Sequence, residues 1–289
     1  MHPILFEVFG RQIYTYGLFI VIGAVAAWFL LRLLVGKENK DMPNAFFICV
    51  CGGLIGAFAL RPLMKIPEVI LHWERFRQMP VEMFFAYFFG EIVFYGGLIG
   101  GATAMLLFCR RFKIPVLPMV DLFAPALALA HGIGRIGCFM GGCCYGIPVS
   151  PSHPFAVVFQ PAPTAAPPTT APIIIAAPIG VPLLGTQLIE AACLILLAAI
   201  LAIIYKKTTR AGLTVCLYGL LYSVLRFVLE FYRGDMIRGV YGWFSTSQYI
   251  SIALFAVSLT LLIVRQVKTK NRPPSHTYRK NREKKKELQ

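Results

Sequence analysis

Long apolar runs alternate with short polar, often basic connections along the chain, and the runs set the architecture. Stretches such as 14–35 and 183–204 reach the roughly 20 residues that cross a hydrocarbon layer. The pattern predicts seven spans, over 14–35, 44–63, 92–109, 116–138, 183–204, 213–233 and 243–265. The fold class is therefore an all-α polytopic membrane protein, with one seven-helix membrane domain over 1–265. The fourth run, MVDLFAPALALAHGIGRIGCF, is the least apolar and carries Pro125, His131 and Arg135. Such a span faces protein or a water-filled cavity rather than lipid, which makes it the first place to look for chemistry.

Composition agrees. Of 289 residues, 57% are hydrophobic and 14% charged, against about 45–50% and about 25% in soluble domains. Collagen-like, disordered and disulfide-scaffold classes are excluded by the same balance. The start, MHPILFEVFGRQ, lacks the basic and short apolar regions of a cleavable signal peptide, so the first run is read as a membrane helix.

The net charge of +15 would suggest nucleic acid in a soluble chain, but its placement orients the helices instead. Arg32, Lys37 and Lys40, then Arg110, Arg111 and Lys113, then Lys206, Lys207 and Arg210 fall on one side, with ten more from Arg265 onward. The loop 146–182 has no Lys or Arg. Basic residues favour the cytoplasm, so the N-terminus is expected outside and the C-terminus inside. No nucleic-acid partner is expected, and the chain is read as a monomer among membrane lipids.

Two segments depart from the span pattern. Residues 65–90 mix aromatics with charge and are expected to form an interfacial or re-entrant arm. Residues 147–182 hold ten of the 20 prolines and are expected to form a flexible extracytoplasmic cap. The basic tail 266–289 is expected to be disordered along an anionic cytoplasmic leaflet.

A charge inside a span costs about 2.5–3.5 kcal/mol even on the mildest scale, so each needs a partner or a task. In Tyr222-SVL-Arg226-FVL-Glu230-FY-Arg233 the four named residues fall within about 80° on one helix face. Arg226 and Glu230 can pair at i, i+4, and Arg233 would leave a positive surplus that favours an anion. The bland alternative is a structural ion pair. The fourth span ends in His131-GI-Gly134-Arg135-I-Gly137-Cys138, at the same expected depth. Guanidinium forks suit phosphate, and a lipid headgroup is the phosphate most available there. Glu91-IVF-Tyr95-Gly96-Gly97 and Tyr14-T-Tyr16-Gly17 add tyrosines at the outer ends of the third and first spans.

Five of the eight cysteines are scattered in spans and read as small core residues. Cys138, Cys143 and Cys144 cluster, and three readings stay open: a disulfide bracing the loop, inert small residues, or a reactive or metal-binding thiol set. No CxxC pair or Cys/His spacing matches a zinc site. No metal and no cofactor is therefore expected.

In order along the chain, YTYGLF, YGGLIGG, DLFAPALALAHGIGRIGCF, TQLIE and RFVLEFYR resemble the bacterial prolipoprotein diacylglyceryl transferase family. The resemblance covers nearly everything outside 65–90, the proline-rich cap and the tail. It implies a seven-helix enzyme of the bacterial inner membrane with its site toward the outer face. Such an enzyme moves the diacylglyceryl group of phosphatidylglycerol to the lipobox cysteine of a preprolipoprotein signal peptide and releases glycerol phosphate. By resemblance Arg135 is the signature arginine, Arg226 the essential arginine of the sixth span, Glu230 and Tyr222 its acid and tyrosine, and Glu190 the acid of TQLIE. Tyr16 and Gly146 also stand where the family keeps a functional tyrosine and glycine.

Departures from the family pattern bear on the proton acceptor. The HGG motif is Tyr95-Gly96-Gly97 here, and GRxGNFxNxExxG has become GRIGCFMGGCCYG, with Cys138, Gly141 and Cys143 replacing two asparagines and a glutamate. Catalytic roles are thus expected for Arg135, Arg226, Tyr95 and Glu230, with His131 the alternative base. Substrate contacts are expected from Tyr16, Gly96, Gly97, Gly134, Cys138, Gly146, Glu190, Tyr222 and Arg233. The rival readings are a divergent paralogue with another acceptor and a non-catalytic phospholipid-binding protein.

Overall fold

The computed structural model describes residues 4–8, 11–35, 41–89, 93–160, 177–208, 210–235 and 239–268. Nine helices are described: α1 (Thr15–Val35), α2 (Asp41–Leu71), α3 (Trp73–Arg77), α4 (Val81–Phe89), α5 (Phe94–Arg111), α6 (Val116–Gly141), α7 (Thr186–Lys207), α8 (Leu213–Glu230) and α9 (Thr246–Lys268). Three two-stranded antiparallel ladders join them: β1 (Ile4–Val8) with β2 (Arg11–Tyr14), β3 (Ala156–Val158) with β4 (Pro182–Leu184), and β5 (Val240–Tyr241) with β6 (Phe244–Ser245). Among the described residues six helices, α1, α2, α6, α7, α8 and α9, are long and apolar enough to cross a membrane. The chain is a polytopic helical membrane protein. At the third expected span stands α5, whose 18 residues include four glycines and a terminal Arg110-Arg111 pair that lower its hydropathy. Large apolar side chains cover helix exteriors, Phe29 at 62%, Ile55 at 69% and Leu196 at 63% exposed, as lipid-facing surfaces require.

The chain divides into two compact units, one of 35–119 and one of 1–34 with 120–289. In the first, α2 and α5 run antiparallel along a glycine seam. A Cβ on Gly96 or Gly100 would overlap the carbonyl oxygens of Gly56 and Gly52, respectively. Glycines spaced by four on both helices let the backbones touch, the small-residue packing that replaces hydrophobic drive within lipid. Where an arm was expected over 65–90, α2 continues through Leu71 and α3 and α4 follow. Phe76 and Phe88 are buried, and Arg61 Nε donates to the Tyr87 carbonyl at 2.9 Å.

In the second unit α6 is the central rod. Its Gly132 lies against Ala191, Leu194 and Ile195 of α7, and its Gly137 against Phe19 and Tyr16 of α1. Ala128, Leu194, Leu197, Ala198 and Leu201 form the core between α6 and α7, with Tyr218, Tyr222 and Leu225 of α8 packed on it. Of the proline-rich stretch 147–182, expected to form a flexible cap, residues 147–160 and 177–182 are described. Phe159 and Ala177 are buried beside Tyr145 and Leu183, while 161–176 lie outside the described residues, as does the tail 269–289.

Buried Asp121 of α6 starts α8. Its carboxylate accepts the backbone N–H of Gly212 and, at 2.9 Å, that of Val215. Gly212 takes a left-handed φ of 95° as the N-cap, so Asp121 does from another helix what a capping side chain does locally, and its charge faces the positive helix end. Asp121→Ala is expected to destabilise the fold by about 3 kcal/mol or more, from two hydrogen bonds to a charged acceptor. The thermal midpoint in detergent checks this, and an unchanged midpoint would contradict it.

Candidate active site

Six charged side chains of the second unit line up in alternating sign. Arg135 of α6 meets Glu190 of α7 at 3.0 Å, and Glu190 reaches Arg226 of α8 at 3.8 Å. Arg226 pairs with Glu230 at 2.8 Å, Glu230 lies 3.8 Å from Arg233, and Arg233 is paired with Asp235. Arg226, Glu190 and Glu230 are buried. The spacing along α8 dictates its part of the ladder, since i, i+4 and i, i+3 neighbours share a face. Glu190 joins it because Gly132 lets α7 approach α6 closely. The positive surplus expected from Arg233 is corrected by the fold: Glu190 and Asp235 bring three carboxylates against three guanidiniums.

Pairing leaves donors to spare. Arg135 Nε and Arg226 Nη1 are buried and have no hydrogen-bond acceptor among the described residues. An unmet buried donor costs about 1–3 kcal/mol, more when charged, so each of these two N–H groups would gain from an acceptor oxygen, as the buried acceptor Gln187 Oε1 nearby would from a donor. A Cβ at Gly134, one residue before Arg135, would meet nothing within 4 Å, so space lies open there. Arg226 is oriented by Ser247, which accepts from Nη2 at 3.1 Å. Tyr222 sits among Arg135, Arg226 and Glu190, stacks on Tyr218 with ring centroids 5.8 Å apart, and meets the His131 ring edge-on at 5.0 Å.

Beyond α6 the chain turns in a way that gathers the three clustered cysteines. The Gly142 N–H bonds to the Phe139 carbonyl and the Cys143 N–H to the Cys138 carbonyl, both at 3.1 Å, with Gly142 at φ 72°. This is a Schellman terminator, whose geometry sets the second residue past the cap against the third residue before it, here Cys143 against Cys138. Thr186 and Gln187, at the start of α7, donate to the Cys144 and Cys143 carbonyls at 3.0 and 2.8 Å. All eight cysteines are free thiols, so the disulfide reading is not met in this structure. The sulfurs of Cys138, Cys143 and Cys144 lie within 4.8 Å of one another. The Cys143 thiol donates to the Cys138 carbonyl at 3.6 Å, and Arg233 and Arg135 are charged neighbours of Cys144.

Gly146 ties this turn to the end of α8. It forms a β-bridge with Arg233, and the Gly234 N–H donates to the Tyr145 carbonyl at 2.9 Å. Tyr16, in the first turn of α1, neighbours Arg135 and all three clustered cysteines. The second unit thus assembles Tyr16, His131, Arg135, Cys138, Gly146, Glu190, Tyr222, Arg226, Glu230 and Arg233. Tyr95, Gly96 and Gly97 stand on α5 in the other unit, where Gly96 is used for the seam and Tyr95 is 42% exposed. Glu91 lies outside the described residues. Asp235, Asp121 and Gln187 were not anticipated as parts of the site or its support. The Arg-x-Asp spacing of Arg233 and Asp235 just past α8 was the available signal for the first.

A family model described as prolipoprotein diacylglyceryl transferase matches residues 3–264. The chain belongs to that family. A phosphatidylglycerol–prolipoprotein diacylglyceryl transferase of Clostridium tetani is 34% identical over 90% of this chain and 96% of its own length. A second such transferase, from Clostridium perfringens, is 35% identical over 93% and 97%. That of Gloeobacter violaceus is 33% identical over 87% and 88%. Within a diacylglyceryl transferase frame the alternating ladder occupies the segments that carry the resemblance, TQLIE, RFVLEFYR and the signature of α6.

Proposed function

We propose that the protein transfers the diacylglyceryl group of phosphatidylglycerol to the lipobox cysteine of a preprolipoprotein signal peptide. The observation that carries this reading is the buried ladder with Arg135 Nε and Arg226 Nη1 unmet. In the reaction the acceptor sulfur attacks the glycerol carbon, a C–S bond forms, and the C–O bond to phosphate breaks with its electron pair left on the phosphate oxygen. Guanidiniums fixed in a low-dielectric site stabilise the charge growing there better than water does. Arg135 and Arg226 hold the phosphate, Arg233 supports Glu230, and Glu190 and Glu230 keep the forks in place. Tyr222 and Tyr16 border the same space, and Gly134 leaves room for the headgroup. Of the two residues expected as proton acceptor, His131 shares a unit with the arginines and Tyr95 stands in the other.

The enzyme is a multi-pass protein of the bacterial inner membrane, acting as a monomer, with its N-terminus and ladder toward the outer face and the tail 266–289 inside. The seven-span count includes α5, whose 18 residues extend about 27 Å at 1.5 Å per residue, close to the hydrocarbon thickness of about 30 Å. The basic loop residues support this orientation.

Purified protein given phosphatidylglycerol and a lipobox peptide is expected to release glycerol phosphate, and a peptide with serine for its cysteine is expected to release none. Release that ignores the peptide thiol would point to another acceptor. Bound phosphatidylglycerol without release from either peptide would establish the non-catalytic reading instead.

A further inference from the structure

We propose that Cys138, Cys143 and Cys144 form a three-thiolate site for a zinc-like divalent cation, with a fourth position open to the acceptor thiol. The sulfurs are within 4.8 Å of one another. Zinc–sulfur bonds of about 2.3 Å at tetrahedral angles place sulfurs about 3.8 Å apart, so side-chain rotations of about 1 Å close the triad around an ion. Two of the ligands are brought together by the helix terminator itself, since Cys138 and Cys143 occupy the positions that a Schellman turn sets in contact.

The third is held at a cost. Cys144 has φ 61°, a left-handed conformation that disfavours any residue with a Cβ, by about 1–2 kcal/mol. The hydrogen bonds from Thr186 and Gln187 to the Cys144 and Cys143 carbonyls maintain that backbone. Strain sustained by outside contacts is characteristic of functional positions. Inert small side chains would not need it.

Charge and ligand softness agree. Three thiolates around a divalent ion carry a net −1, and the guanidiniums of Arg135 and Arg233 are both charged neighbours of Cys144. Thiolates select zinc-like or cuprous ions over hard cations. Among the described residues the cluster offers three ligands, and three protein ligands with one open place is the pattern of catalytic zinc, whereas structural sites close all four.

The open place suggests what the ion does, a role that rests on the transferase reading above. An acceptor thiol that binds there loses its proton to bulk water and becomes a metal thiolate, because a coordinating thiol is deprotonated outright. Its sulfur pair then attacks the glycerol carbon, the C–O bond breaks onto the phosphate, and the thioether leaves the ion. Deprotonation by the metal would stand in for the histidine that Tyr95 replaces.

Full-length protein freed of metal and titrated with Co2+ tests the site without substrate. One ion per chain with thiolate-to-cobalt absorption is expected, lost in Cys138→Ser, Cys143→Ser and Cys144→Ser and kept in Cys193→Ser. In the unsubstituted protein, Zn2+ should shield the three cysteines together from alkylation, which gives a readout even if a variant fails to fold. Absence of stoichiometric binding, or equal alkylation with and without Zn2+, would overturn the site. A lipobox peptide should shift the cobalt spectrum while its serine analogue does not. An unshifted spectrum, or undiminished glycerol phosphate release from metal-free protein, would overturn the activating role. A cobalt band with no release under any condition would instead sink the transferase reading and leave the metal site standing.

Discussion

Arg226→Ala is expected to lower kcat/KM for glycerol phosphate release by about 10²–10³-fold, the usual effect of deleting one fixed donor to a developing oxyanion. Arg226 is the centre of the ladder, 3.8 Å from Glu190 and 2.8 Å from Glu230. Its loss would leave Glu190 with Arg135 and Glu230 with Arg233 as their remaining cations, so the cost to stability is expected to stay below the about 3–5 kcal/mol of a buried pair broken outright. Arg226→Lys separates the two effects. An ammonium restores the charge but cannot reach both carboxylates and a phosphate as a planar fork does. The lysine variant is therefore expected to recover most of the thermal midpoint and little of the turnover. Steady-state kinetics beside thermal denaturation decide the matter, and an alanine variant with full turnover would remove Arg226 from the chemistry.

Gly146→Ala is expected to reduce turnover by about 10²-fold, the scale of a misplacement of about 1 Å in a preorganised site. A Cβ at Gly146 would come within 2.7 Å of the Leu184 Cβ and 2.9 Å of the Thr186 methyl, besides crowding the Leu184 carbonyl. Those neighbours belong to β4 and the start of α7, and neither can swing aside like a long side chain. The strain passes through the bridge between Gly146 and Arg233 and displaces Arg233 from Glu230. Because the obstacle meets the first side-chain carbon, Gly146→Val should be scarcely worse than Gly146→Ala. A graded loss across Ala and Val, with Ala nearly normal, would show that the bridge yields. Helical content by circular dichroism should stay unchanged in both.

Much of this arrangement is visible in the residues themselves. The spans over α1, α2, α6, α7, α8 and α9 announce themselves by length and apolarity, and the pairing of Arg226 with Glu230 follows from helical spacing alone. Glu190 is different: nothing on α7 says which charge it will meet, because the partner depends on how closely Gly132 lets α6 approach, and only the family resemblance pointed to it. The net charge of the cluster was misjudged because Asp235 lies past the end of α8, where helical periodicity no longer places a side chain. The thiol triad escapes any search for zinc spacing. Its logic is that of helix termination, with Gly142 as the visible stop signal and Cys138 and Cys143 at the two positions which that stop brings together. Asp121 looked like one polar residue among several in a span, whereas its task, starting α8, depends on a helix about ninety residues away in sequence.

The exact balance of guanidinium and carboxylate in the ladder has a consequence for the end of the catalytic cycle. A purely cationic clamp would grip a released phosphomonoester more tightly than the diester it came from and would stall on its own product. Here every arginine keeps its carboxylate partner, so a phosphate held by the spare donors Arg135 Nε and Arg226 Nη1 also faces the negative charge of Glu190 and Glu230. Once the lipid chains have gone to the acceptor, the small polar fragment loses its anchorage, its added charge meets that repulsion, and the site resets with little product inhibition.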